Sequence, residues 1–198
     1  MIKTDIFKTA IYSDNFSLNN TTLRELVNNV EENFSSENIS NLGGYHSINL
    51  LNESINFLSK EQLTELTSLV SKVEIFGNDI IKNFSPVKNL KIGNIWFNKS
   101  YNKDFNIPHI HPNSILSGVY YCKTSQDCGP LVFDRPDKLL VQSYFQNFFS
   151  NLNEYNYEVY TILPEDGLCV LFPSYLTHSV MPNLSNSARV SFSFNLSF

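Results

Sequence analysis

Three of the chain's four histidines stand in an arrangement suited to a single metal ion. His109 and His111 bracket one residue, and His178 follows far downstream, eleven residues before Arg189. In an extended segment side chains alternate between faces, so a His-x-His pair presents both imidazoles on one side, and the third donor must come from a distant strand folded alongside. Imidazole suits iron, copper, nickel and zinc, and ligand sets with open positions support metal-dependent oxygen chemistry. Arg189 opens the alternating run Arg189-Val190-Ser191-Phe192-Ser193-Phe194, which places Arg189, Ser191 and Ser193 on one face and the aromatics on the other. A guanidinium fork and a hydroxyl on one strand face form a receptor for a carboxylate. The outline is a mononuclear metal centre with an anion-binding arginine behind it.

Plainer readings weigh against each feature. A His-x-His flanked by Pro108 and Pro112 also fits an exposed loop, and a strand arginine also fits a surface ion pair. The added presence of His178, and the lack of other charge in the strand that holds Arg189, favour the site. The best-known iron-binding face uses two histidines and a carboxylate, whereas the middle position here is His111. A third neutral ligand leaves the ion more positive, which strengthens its hold on an anionic cosubstrate and weakens the protein's hold on the metal. Asp134, after Gly129-Pro130-Leu131-Val132-Phe133, is either a turn residue or a substitute carboxylate ligand, and Arg135-Pro136 favours the turn. His46 reads as structural. Trp96, Tyr101 and Tyr175 are the aromatics expected near the metal-bearing strands by their order along the chain.

The elements that must position these residues follow from length and periodicity. With 198 residues, 42% of them apolar, the chain builds one core, and we expect a single domain over 1–198 with helical support at 17–85 and a β core at 86–198. Residues 5–16 read as an edge strand or extended lead-in. Leu23, Leu26, Val27 and Val30 predict a helix over Thr21–Phe34 with one buried face. Ser59 and Gln62 form a capping-box pattern ahead of the stripe Leu63, Leu66, Leu69, Val70, Val73 and Phe76, with Gly77 expected to end or kink that helix. Strand-like runs follow at 90–98, 115–122, 131–133, 158–163, 168–172 and 189–198, and 138–151 reads as an ambiguous insertion over the barrel mouth. Helices first and short strands afterwards give an α+β, mainly β class: a sandwich or jelly roll with N-terminal helices packed on the outside.

Composition narrows the function classes. A net charge of −5, with few and scattered lysines and arginines, argues against a nucleic-acid surface. Met1–Asp5 shows no apolar signal region and no stretch nears the roughly 20 apolar residues that span a bilayer, so the expected setting is cytoplasmic with no membrane partner. Cys122, Cys128 and Cys169 lack paired zinc spacing and read as reduced packing residues.

The run from His109-Ile-His111-Pro-Asn-Ser-Ile-Leu-Ser-Gly-Val-Tyr-Tyr121, then Gly129-Pro-Leu-Val-Phe133, Phe172-Pro-Ser-Tyr-Leu-Thr-His178 and Arg189-Val-Ser191 resembles the 2-oxoglutarate- and iron(II)-dependent oxygenases common in marine bacteria and their phages. Ser40-Asn-Leu-Gly-Gly-Tyr-His-Ser47 is similar to a glycine-glycine motif of that family, and the prolyl 4-hydroxylase-like enzymes are more distant kin. The resemblance spans residues 40–198. It implies a double-stranded β-helix with Fe(II) at one mouth, 2-oxoglutarate as cosubstrate and O2 as oxidant, and hydroxylation of a substrate with release of succinate and CO2. Carried over by position, it implies His109, His111 and His178 as metal ligands, Arg189 as the partner of the distal 2-oxoglutarate carboxylate, and Ser191 and Tyr121 as its hydrogen-bonding helpers. Two other readings stay open: a three-histidine metal dioxygenase that uses no 2-oxoglutarate, and a non-catalytic jelly-roll binding module. A small molecule or a peptide would serve as substrate, and neither its identity nor the oligomeric state is legible in these residues.

Overall fold

A computed structural model describes residues 2, 4, 8–52, 55–82, 84, 87–145, 151 and 153–198. The helices form where the stripes predict. Helix α1 (Asn20–Asn33) starts at Asn19, whose side chain accepts from the amides of Thr21 and Thr22, and it buries Leu23, Leu26, Val27 and Val30. Helix α2 (Lys60–Ile81) starts at Ser59 with both halves of the capping box made by Gln62.

The course of α2 corrects two expectations. Gly77 does not end it; the helix runs on to Ile81. A Cβ at Gly77 would lie 2.7 Å from Leu196 Cδ2, so glycine is there for close approach to the sheet. The buried stripe is Leu66, Leu69, Val73, Gly77 and Ile80, while Leu63 is exposed.

The strands are β1 (Tyr12–Asn15), β2 (Asn41–Leu42), β3 (Tyr45–His46), β4 (Lys91–Ser100), β5 (Phe105–His109), β6 (Leu116–Lys123), β7 (Leu131–Asp134), β8 (Val159–Ile162), β9 (Leu168–Pro173), β10 (His178–Val180) and β11 (Arg189–Ser197). They form two antiparallel sheets, ordered β1-β9-β6-β11-β4-β3 and β2-β5-β10-β7-β8. The protein is mainly β, and the long sequence jumps between neighbouring strands belong to a jelly roll. Segment 138–151 contains α3 (Lys138–Phe145), and the rest of that expected insertion lies largely outside the described residues, as do positions 5–7 of the predicted lead-in.

Period-two alternation divides the buried residues into two clusters. Tyr120, Cys122, Cys169, Leu171, Val190, Phe192, Phe194 and Leu196 join the apolar faces of α1 and α2. Their neighbours in sequence, Val119, Tyr121, Val170 and Phe172, join Leu131 and Phe133 of the second sheet. The candidate site opens on this second side. All three cysteines are free and buried.

Candidate metal centre

His109 and His178 are directly opposed residues of β5 and β10, so antiparallel register alone places their side chains together. His111 lies two residues beyond His109, past the end of β5, where its backbone N–H donates to Ser174 O at 3.0 Å and keeps the segment extended. The ring centroids are 4.3 Å apart for His109 and His178, and 5.0 Å apart for His109–His111 and for His111–His178. One ligand atom from each residue lies within 4.8 Å of the others, close enough for one ion.

The electrostatics suit a metal. Burial pushes the imidazole pKa of His178 down to about 3, with the neighbouring His109 adding to the fall, and burial with His109 brings His111 down to about 4. His109 is lowered for the same reason, burial. At neutral pH all three are uncharged and carry a free lone pair, the form a metal requires. Nδ1 of His109 donates to Ile107 O at 2.7 Å and Nδ1 of His178 to Leu176 O at 2.9 Å, which leaves each Nε2 as the nitrogen able to hold an ion.

Arg189 is 2% exposed at the start of β11. Its Nη1 donates to the carbonyls of Cys128 (2.5 Å) and Gly129 (2.8 Å), and its Nη2 to Ser100 Oγ at 3.2 Å. Burial lowers its pKa, yet a guanidinium remains charged. Among the described residues no carboxylate stands within ion-pair distance. A buried cation held by neutral groups, with donors left over, is able to accept an anion.

Ser191 and Tyr121 are cross-strand partners on β11 and β6, both buried. Burial raises the phenol pKa of Tyr121 strongly, so its hydroxyl stays protonated and able to donate. One cavity is lined by His109, His111, His178, Arg189, Ser191 and Tyr121, and apolar Leu131, Phe172 and Val180 complete its wall. Thus the structure brings the six expected site residues to one place.

The family profile described as "Putative 2OG-Fe(II) oxygenase" matches residues 94–195, a span that holds the three imidazoles, Arg189, Ser191 and Tyr121. The chain belongs to this 2OG-Fe(II) oxygenase family. No curated protein matches it in sequence. Solved structures share its fold at low identity. A Pseudomonas putida prolyl-4-hydroxylase is 14% identical, with 95% of this chain and 92% of that one covered and a TM-score of 0.57. A Trichoplax adhaerens prolyl hydroxylase, solved with a peptide of hypoxia inducible factor, is 19% identical over 94% of this chain and 82% of that one, with a TM-score of 0.59. HygX of Streptomyces hygroscopicus, solved with nickel and 2-oxoglutarate, is 9% identical over 96% and 83%, with a TM-score of 0.60. The chain spans 57% of the length of a Burkholderia pseudomallei oxidoreductase of the 2OG-Fe(II) oxygenase family, with 71% of this chain covered, 16% identity and a TM-score of 0.52.

Some details of the site agree with the sequence reading and others differ. Asp134, where the sequence favours a turn over a ligand role, ends β7, accepts from Lys138 Nζ at 3.1 Å and lies outside the group of three histidines. Of the three aromatics expected near the metal, only Trp96 lines the cavity; Tyr175 is 63% exposed, and Tyr101 turns outward to donate to Glu31. Asn98, Asn106, Ser40 and Ser193 also line the cavity; the sequence points to Ser193 through its strand face and to Ser40 through the glycine-glycine motif, but not to the two asparagines. The alternation Trp96, Asn98, Ser100 against Ile95 and Phe97 on β4 was the available signal. Asn98 Oδ1 is buried without a donor although its Nδ2 donates to Ser193 Oγ at 3.3 Å. An unpaired buried acceptor costs about 1–3 kcal/mol and favours an incoming N–H or O–H.

Proposed function

We propose that this chain is an Fe(II)- and 2-oxoglutarate-dependent dioxygenase that hydroxylates a small-molecule or peptide substrate and releases succinate and CO2. The observation that carries this reading is the pairing, in one cavity, of three uncharged imidazoles with a buried guanidinium that has no carboxylate partner. The donor set fits the metal: three nitrogen ligands leave open positions, as oxygen chemistry demands. When bound, ferrous ion with 2-oxoglutarate and O2 supplies the oxidising power.

The protein's own residues orient and enclose. His109, His111 and His178 hold the ion through neutral nitrogens. Arg189 takes the distal carboxylate of 2-oxoglutarate with the donors that Cys128, Gly129 and Ser100 leave unused, and the hydroxyls of Ser191 and Tyr121 donate to the same group. Leu131, Phe172 and Val180 exclude water, which strengthens each of these charged hydrogen bonds. Helices α1 and α2 back the six-stranded sheet from outside and keep β11 in place. The peptide in one structural relative and the nickel and 2-oxoglutarate in another match the ligand classes assigned here. A three-histidine dioxygenase without 2-oxoglutarate, or a binding module, leaves Arg189 unexplained.

Calorimetric titration of the Ni2+-loaded protein with 2-oxoglutarate tests the reading. One molecule should bind per chain, and Arg189→Met should remove that binding while nickel stays bound. Nickel uptake with no 2-oxoglutarate affinity in the unaltered protein would return the assignment to the three-histidine alternative.

A further inference from the structure

The three imidazoles are not held alike. His109 and His178 each donate Nδ1–H to the carbonyl two residues upstream, which fixes tautomer and ring plane together. His111 has no such bond among the described residues. Its backbone is tied to Ser174, but that bond positions the chain and leaves the ring plane free. Besides the other two imidazoles, the ring that meets it is Trp96, with centroids 5.8 Å apart and planes at 53°.

Behind Trp96 lies a second ring. His46 stacks on the indole at 5.6 Å with an interplanar angle of 20°. Register explains the stack: His46 of β3 sits opposite Asn98 of β4, so Trp96, two residues earlier on the same strand face, is its diagonal neighbour. His46 is itself fixed, 4% exposed, with Nδ1 donating to Ser47 O at 3.0 Å. The two-residue strand β3 reaches β4 directly after Gly43 and Gly44, both at positive φ (76° and 64°). A Cβ on Gly43 would lie 2.0 Å from Asp104 Oδ1, so the turn that delivers His46 needs glycine. That turn and that histidine have no part in the chemistry assigned above.

We propose that Trp96, seated on His46, is the positioning residue for His111: a packed ring wall sets the plane of the third imidazole where the other two use backbone carbonyls. The proposal rests on the three-imidazole reading of the metal centre. It gives the Gly43-Gly44 turn and β3 a task, which is to back the indole from the edge of the six-stranded sheet.

The test is a Co2+ titration of the metal-free 198-residue chain, followed by visible absorption, with neither 2-oxoglutarate nor turnover required. Trp96→Leu should weaken cobalt binding by about tenfold or more, the range seen when groups that orient a ligand are lost. Trp96→Phe keeps a flat ring and should restore most of the affinity. In a His111→Ala background, Trp96→Leu should cost nothing further. Wild-type affinity in Trp96→Leu overturns the proposal, as does an equal loss with His111 absent. Should Trp96→Leu fail to fold, His46→Leu removes the backing but leaves the indole; it should weaken cobalt binding in the same direction, and an unchanged affinity again overturns the proposal. An unaltered protein that takes up no cobalt contradicts the metal reading itself, a result distinct from either of these.

Discussion

Strand β11 presents two unlike faces to two unlike regions. Val190, Phe192, Phe194 and Leu196 are sealed against α1 and α2, while Arg189, Ser191 and Ser193 face the cavity from the intervening positions. Both faces are largely buried, but one is apolar and satisfied by packing alone, while the other holds a cation and hydroxyls that, under the proposed function, also serve a ligand. Burial by itself therefore does not tell a core residue from a site residue. Whether the protein supplies every buried polar group with a partner does tell them apart.

The two faces should respond to substitution in opposite currencies. Phe192→Ala, on the helix face, should cost about 3–5 kcal/mol of unfolding free energy in a denaturant titration, as large-to-small changes in a closed core do, while 2-oxoglutarate affinity of the folded fraction holds. Arg189→Met, three residues earlier on the opposite face, should weaken 2-oxoglutarate binding by about 2–5 kcal/mol, the effect of truncating one partner of a buried charged pair, as read by calorimetry. Its cost in stability should be smaller than that of Phe192→Ala, because a guanidinium desolvated without a carboxylate stabilises the empty fold little.

Acid should separate the regions further. The imidazoles of His178 and His111 fall to about 3 and about 4 in the fold against 6.5 for the free side chain, chiefly by burial. The unfolded chain therefore binds more protons below pH 6.5, so this contribution to metal-free stability is complete above 6.5 and declines as pH falls toward 4 and 3. Thermal melts of metal-free protein across that window should show the decline, and His178→Phe should flatten it. The smallest effect belongs to the helical region: Ser59→Ala removes the capping box and should cost about 1 kcal/mol with both ligand affinities intact.

The fold and the site were legible in the sequence to different depths. The stripe of α1, the capping box of α2 and the alternation of β11 are local patterns, and the structure contains each. The strands that carry the histidines were not among the predicted runs. Pro108 interrupts β5, and β10 has three residues, too few for any period to show. Their pairing is set by long-range register, His178 against His109, which local pattern does not encode. The partners of Arg189 were hidden for a related reason: two are backbone carbonyls, which any residue type could have offered. Trp96, Tyr101 and Tyr175 show the limit from the other side, since chain order brings all three near the metal-bearing strands and only side-chain direction distinguishes them.

Under the proposed function, one ferrous ion on His109, His111 and His178 and one dicarboxylate on Arg189 share this cavity. Anaerobic titration of Fe(II)-loaded protein with 2-oxoglutarate, read by visible absorption, tests it most directly. A charge-transfer band should appear, saturate at one 2-oxoglutarate per iron and be lost in Arg189→Met; a spectrum unchanged by 2-oxoglutarate while iron remains bound would rule the shared site out.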